Sequence, residues 1–262
     1  MSAVLRPGNA HAARGAMGVL RRIIQRLKQR FPQVQIVVRG DSAFAVPRVL
    51  QRLEELNREL GGIAYVVGLA QNAVLLRSGA AALSEAHPRF LATKPTVQHF
   101  DAFSYAAESW PQVRHVVMKA EVSAQGAHPR FVVTSLPEFA PALLYHAYCE
   151  RGQCENFIKD LKNALQADRL SCSTFAANFF RLLEHAAAYV LFPALRTQVA
   201  PLAPQLGRAQ VDTLRLQLLK VAAVVSQSTR RLLVRLPSAF PLARVFRHLA
   251  TMLAAPFVLS SA

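Results

Sequence analysis

A chain of 262 residues, 52% of them apolar, can bury a full core in one large domain or two, which excludes a disordered basic tail. Its 31 Lys and Arg against 15 Asp and Glu give a formal charge of +16, and a folded, strongly basic chain most often meets nucleic acid or an anionic surface. The most apolar stretch, Phe175 to Leu195, is interrupted by Arg181, Glu184 and His185, so it reads as a buried helix and not a membrane span.

In chain order, Arg14 to Arg30 reads as a helix with Val19, Ile23, Ile24 and Leu27 on one stripe. This acid-free, Arg-rich start also has the composition of an organelle transit peptide, a reading set below that of an ordinary amphipathic helix. Pro32 ends the helix, and Val34 to Val38 reads as a buried strand rich in β-branched residues. Arg39-Gly40-Asp41-Ser42 follows at its carboxyl end. Pro47 opens a second helix with a stripe of Val49, Leu50, Leu53, Leu56 and Leu60, stopped by Gly61-Gly62. Ile63 to Val67 is a second strand. This alternation predicts an α/β layer with parallel strands. From about Leu83 the texture changes: Val97 to Tyr105, Val113 to Ser123 and Arg130 to Ser135 read as strands of a mainly β insertion. After Pro137 the chain turns helical, through Thr174 to Gln198, Arg208 to Ser226 and Leu242 to Leu253, with a short basic strand at Arg231 to Leu236. The expected divisions are therefore 1–82, 83–137 and 138–262.

The first helical segment after Pro137 carries Tyr148, Arg151, Glu155 and Lys162, spaced Y-x2-R-x3-E-x6-K. On a single helix they would share an arc of roughly 60°. An acid flanked by two cations and a phenol suits a metal-holding carboxylate that grips a phosphate backbone, although a solvated face with ion pairing gives the same pattern. Asp41 stands just past a strand, where α/β sheets present functional side chains. Asp41 and Glu155 together would hold Mg²⁺ or Mn²⁺, hard ions that take oxygen ligands. The competing reading of Asp41 is a turn aspartate that opens a helix. Trp110 either stacks on an unpaired base or packs on the sheet. Arg230, Arg231 and Arg235 form a basic stretch suited to non-specific DNA contact. Cys149, Cys154 and Cys172 make no pair-and-pair zinc pattern, and their odd number fits free thiols in a reducing cytoplasm.

Asp41 within Val-Val-Arg-Gly-Asp-Ser-Ala-Phe, followed by the Tyr148–Arg151–Glu155–Lys162 spacing, resembles the DDE transposases of bacterial insertion sequences. Tyr65 to Asn72, Phe131 to Pro137, Ala167 to Cys172 and Ala177 to Leu183 extend the resemblance over nearly the whole chain. The resemblance implies a ribonuclease-H-like core with the β insertion before the acidic helix and helices after it. It implies Mg²⁺-dependent cleavage and strand transfer at transposon ends, with target DNA as a further partner and a homo-oligomer assembled on DNA. Asp41 matches the second acid of the triad and Glu155 the third. Tyr148, Arg151 and Lys162 match positions that contact DNA near the cut. The family's first Asp lies on the first core strand, and no Asp or Glu precedes Asp41 here. The expectation is thus a C-terminal transposase portion, nucleoid-associated, without its first core strand and impaired in catalysis. Two readings stand beside it: a non-catalytic DNA-binding remnant that interferes with intact transposase, and a ribonuclease-H-like nuclease with a different ligand set.

Overall fold

The computed structural model describes residues 2–11, 13–93 and 95–254. Arg6–Cys154 forms one compact unit; the chain from Glu155 onward, with the first five residues, forms another.

In the first unit, α1 (Ala16–Arg30) buries Ile24 and the stem of Lys28, whose Nζ donates to the Val34 carbonyl at 2.7 Å. Strand β1 (Ile36–Gly40) leads through a short 3-10 turn (Ser42–Phe44) into α2 (Pro47–Leu60). Val49, Leu50, Leu53 and Leu56 of α2 are buried, as their helical spacing predicts. Gly61 and Gly62, with φ of 67° and 62°, end the helix in a conformation costly for any residue with a Cβ. Strand β2 (Ile63–Leu69) then pairs parallel to β1, Ile36 opposite Ile63 and Gly40 opposite Val67.

The connection beyond β2 departs from expectation. Residues 80–93, assigned to the β-rich stretch in part, form α4 (Ala80–Thr93) after the short α3 (Ala73–Ser78). The reason is local: Ala80-Ala81-Ala82 favours helix, and Ala82 and Ala86 let it pack close to the core. Strands β3 (Val97–Tyr105), β4 (Arg114–Ser123), β5 (Gly126–Ala127) and β6 (Arg130–Thr134) follow, then helix α5 (Pro141–Cys149). The strands of 83–137 do not stand apart. They continue the first sheet in the order β1-β2-β6-β4-β3, with β5 on β4.

Alternation along these strands makes two apolar faces. Tyr65, Val67, Val116, Met118, Phe131 and Val133 pack with α1, α2, α3 and α4, while Val66, Val117 and Val132 pack with Leu144 and Tyr145 of α5. Among the described residues β1 is the last strand of the order.

The second unit is helical around its own core. α6 (Gly152–Lys159) runs into a π-helical turn (Asp160–Ala164); α7 (Phe175–Val199) is capped by the Thr174 hydroxyl, which accepts from Ala177 N. Then come α8 (Pro204–Gly207), α9 (Val211–Leu214) with a second π-helical turn (Arg215–Leu219), the hairpin β7 (Val224–Gln227) and β8 (Leu232–Arg235), and α10 (Ala243–Ala254). The helix expected to reach Ser226 stops at Leu219. The β-branched Val224 and Val225 lie in a strand instead, opposite Arg235 and Val234. Tyr189, Phe192, Val199, Leu206, Val211, Leu214, Leu218, Val245 and Leu249 form the core. Asp160, 8% exposed, accepts from Arg196 Nη2 at 3.2 Å and from Val211 N at 3.4 Å, which fastens the π-helical turn to α7 and α9.

Candidate functional site

Asp41 leaves β1 at its carboxyl end and stays exposed. Its Oδ1 accepts from Ala43 N at 3.1 Å and so caps the 3-10 turn. The turn-aspartate reading is therefore fulfilled. It leaves the metal reading open, because one oxygen of an exposed carboxylate carries the cap.

Helix α5 brings Tyr148 to the same end of the sheet, and Gly68 makes room for it. A Cβ on Gly68 would meet the Tyr148 hydroxyl at 2.5 Å and the Ser42 backbone nitrogen at 3.2 Å. The phenol thus lies over the backbone of β2 beside the Asp41-Ser42 turn, two places 107 residues or so apart in sequence. The Arg151 guanidinium stands 5.4 Å from the Tyr148 ring centre, and the Tyr145 ring centre lies 6.0 Å from it.

These residues border a groove of about 690 Å³, also lined by Ser42, Gly68, Leu69, Lys119, Glu121, His128, Arg130 and Phe131. Lys119, Arg130 and Arg151 bring positive charge to it. Glu121 is largely answered: Lys119 Nζ donates to it at 2.8 Å and Gln98 at 2.7 Å, and the Lys119 bond holds its carboxyl below the ordinary value. Lys119 also sits 5.3 Å from the Tyr145 ring centre. Burial pushes the Tyr145 hydroxyl up to about 12, so it remains a neutral phenol at any ordinary pH. A groove with a cationic rim and a phenolic floor suits a phosphodiester backbone.

The single-helix stripe needs correction. α5 ends at Cys149, and the next bonds tighten to i−3: Arg151 N donates to the Tyr148 carbonyl, Gln153 N to Glu150 and Cys154 N to Arg151. The cause is Arg39. Its Nη1 takes the Ala147 carbonyl at 2.8 Å, the acceptor that Arg151 N would use in a continuing α-helix, and also the Glu150 carboxylate at 2.8 Å. Tyr148 is thus on α5, Arg151 in the turn, Glu155 exposed in the first turn of α6, and Lys162 exposed in the π-helical turn after it. Asp41, Tyr148 and Arg151 share the first unit; Glu155 and Lys162 belong to the second.

Trp110 is 8% exposed, edge-on to Tyr105 at 5.5 Å, with the Arg114 guanidinium 5.1 Å from its ring centre. Arg114 is itself held by Glu54 through two bonds of 2.8 and 3.1 Å, and the Tyr65 hydroxyl and Gln112 also donate to Glu54. This geometry is the sheet-packing one of the two alternatives.

Sequence reasoning passed over Gly68, Lys119, His128, Arg130 and Tyr145. One signal was present: a glycine inside the apolar run Tyr65-Val-Val-Gly-Leu marks close approach of another group to the strand. The basic groove residues Lys119 and Arg130 come from two strands and His128 from a loop, and they carry no common spacing.

Asp41 and Glu155 are oxygen donors of the kind that divalent Mg²⁺ or Mn²⁺ requires. Among the described residues, no three His, Cys, Asp or Glu side chains gather as a metal-holding group. Each of the two carboxylates fits such an ion in type. No helix among the described residues is long and apolar enough to cross a membrane.

No curated protein matches the chain. The family described as transposase DDE domain group 1 matches residues 1–256. With a match over nearly its whole length, the chain belongs to the transposase DDE domain family.

Proposed function

We propose that these 262 residues engage DNA for transposition through the basic groove, with Asp41 and Glu155 as acids of a DDE site of the bacterial insertion-sequence branch. The observation that carries this is the Tyr148 hydroxyl seated over Gly68 beside the Asp41-Ser42 turn, because it joins two distant parts of the family motif at one end of the sheet. In this reading a phosphate lies in the groove. Arg151 and Arg130 donate to its oxygens through their planar forks, Lys119 supplies a point charge, and the Tyr148 phenol donates one hydrogen bond that fixes the strand's path. Lys162 would hold a phosphate as a point charge. Asp41 and Glu155 would hold the divalent ion, which would supply an activated nucleophile and stabilise the leaving oxygen in phosphodiester cleavage and strand transfer.

Asp41 is the first acid of the sequence, so these residues hold two of the three carboxylates that the resemblance implies. We infer that this polypeptide alone binds DNA and cleaves it poorly. The second reading, a DNA-binding remnant that interferes with an intact transposase on its ends or in mixed oligomers, is favoured by the charge of +16.

Duplex affinity measured across salt concentrations tests the groove. The wild-type chain should lose affinity steeply as salt rises, and Lys119→Gln with Arg130→Gln should flatten the slope by about 2. An unchanged slope in that double variant places the DNA elsewhere.

A further inference from the structure

Among the described residues nothing covers the β7–β8 hairpin. Every residue of both strands is exposed, including Val224 at 64%, Val225 at 59%, Leu232 at 66% and Val234 at 50%. The register sets Val224, Ser226, Leu233 and Arg235 on one face, and Val225, Gln227, Leu232 and Val234 on the other. The turn Ser228-Thr229-Arg230-Arg231, closed by Ser228 N donating to the Arg231 carbonyl at 2.8 Å, puts two arginines at the tip. An isolated two-stranded ribbon is marginal in water, so a partner is needed to hold it.

Charge chooses among partners. No acid follows Asp212 in the sequence, while Lys220, Arg230, Arg231, Arg235, Arg244 and Arg247 do. A second copy would set the same cations against themselves, whereas a polyanion complements them. Size agrees: four residues of strand span about 13 Å, and the major groove of B-DNA, about 12 Å wide, admits a two-stranded ribbon. Within that groove, Val and Leu side chains have thymine methyl groups to touch, and arginines have guanine edges or phosphates. A ribbon apolar along its strands and cationic at its tip matches both.

We propose that the Val224–Arg235 hairpin is a DNA-binding ribbon that enters the major groove of duplex DNA with Arg230 and Arg231 leading. The proposal rests on the reading that the chain handles DNA and adds a contact in the second unit, separate from the groove beside Asp41.

The test uses the full chain and a labelled duplex of about 30 base pairs, with affinity measured across salt for wild type and for Arg230→Gln/Arg231→Gln/Arg235→Gln. The three substitutions lie on an exposed hairpin, and thermal melting checks the fold. The expected result is a salt slope smaller by about 2 to 3. Amide hydrogen exchange at 224–235 gives a second readout that requires no variant, and the duplex should protect these amides. An unchanged slope with no protection overturns the ribbon while leaving the groove reading standing. No duplex binding by the wild-type chain overturns both. A wild-type dimer without DNA that Val225→Glu converts to monomer makes the hairpin a self-association surface and also overturns the proposal.

Discussion

Gly68 controls the site at the scale of one residue. A methyl group there has no room unless Tyr148 moves, since its hydroxyl would stand 2.5 Å away. The far end of a side chain yields more readily than backbone, so Gly68→Ala should keep the fold at a cost of about 1–3 kcal/mol. It should displace the phenol and lower duplex affinity as much as Tyr148→Phe does. Thermal melting and duplex titration of both variants check this; full affinity in Gly68→Ala would show that the phenol's seat is irrelevant to DNA. The same scale shows where sequence reasoning stops. The spacing of Tyr148 and Arg151 marked them as partners of a phosphate, and the structure sets both at the groove. Trp110 offered no spacing to read. Its cover comes from Tyr105 and from Arg114, whose place depends on Glu54 some 60 residues earlier, and nothing near a lone tryptophan reveals that.

At the scale of elements, local chemistry was legible and pairing was not. The strand reading of Val97 to Tyr105 matched β3 at both ends, and the helix–strand alternation predicted β1 parallel to β2. That β6 pairs with β2, Val67 opposite Val133, is a contact between segments too distant for any periodicity to signal. The break between α5 and α6 escaped for a similar reason, because Arg39 takes the Ala147 carbonyl from another part of the chain. Asp160, set aside as a catalytic acid because it points away from Glu155 on the helix, has a structural task. Its side chain is 10% exposed and pairs with Arg196, so Asp160→Ala would leave a cation largely buried without its anion. Breaking such a pair costs about 3–5 kcal/mol. Hydrogen exchange should show α7 and α9 losing protection together in this variant while β2, β4 and β6 keep theirs. Loss in the sheet of the same size would contradict the division into two units.

For the whole molecule, charge and acid placement decide the expected behaviour. An excess of 16 positive charges makes binding to DNA strong at low salt and weak at high salt, whether or not any bond is cut. Cutting depends on something narrower, the number of carboxylates that can meet one ion. Asp41 stands at the carboxyl end of β1. The resemblance places the family's first acid on the first core strand, and these residues contain no acid before Asp41. The most direct test is nicking of supercoiled plasmid by the purified 262-residue chain with Mg²⁺ or Mn²⁺, beside Asp41→Ala and Glu155→Ala, with plasmid binding measured in the same samples. The account predicts binding by all three proteins and metal-dependent nicking by none. Nicking by the wild-type chain that disappears in both variants would contradict it, and would mean that a complete catalytic site is present within these residues.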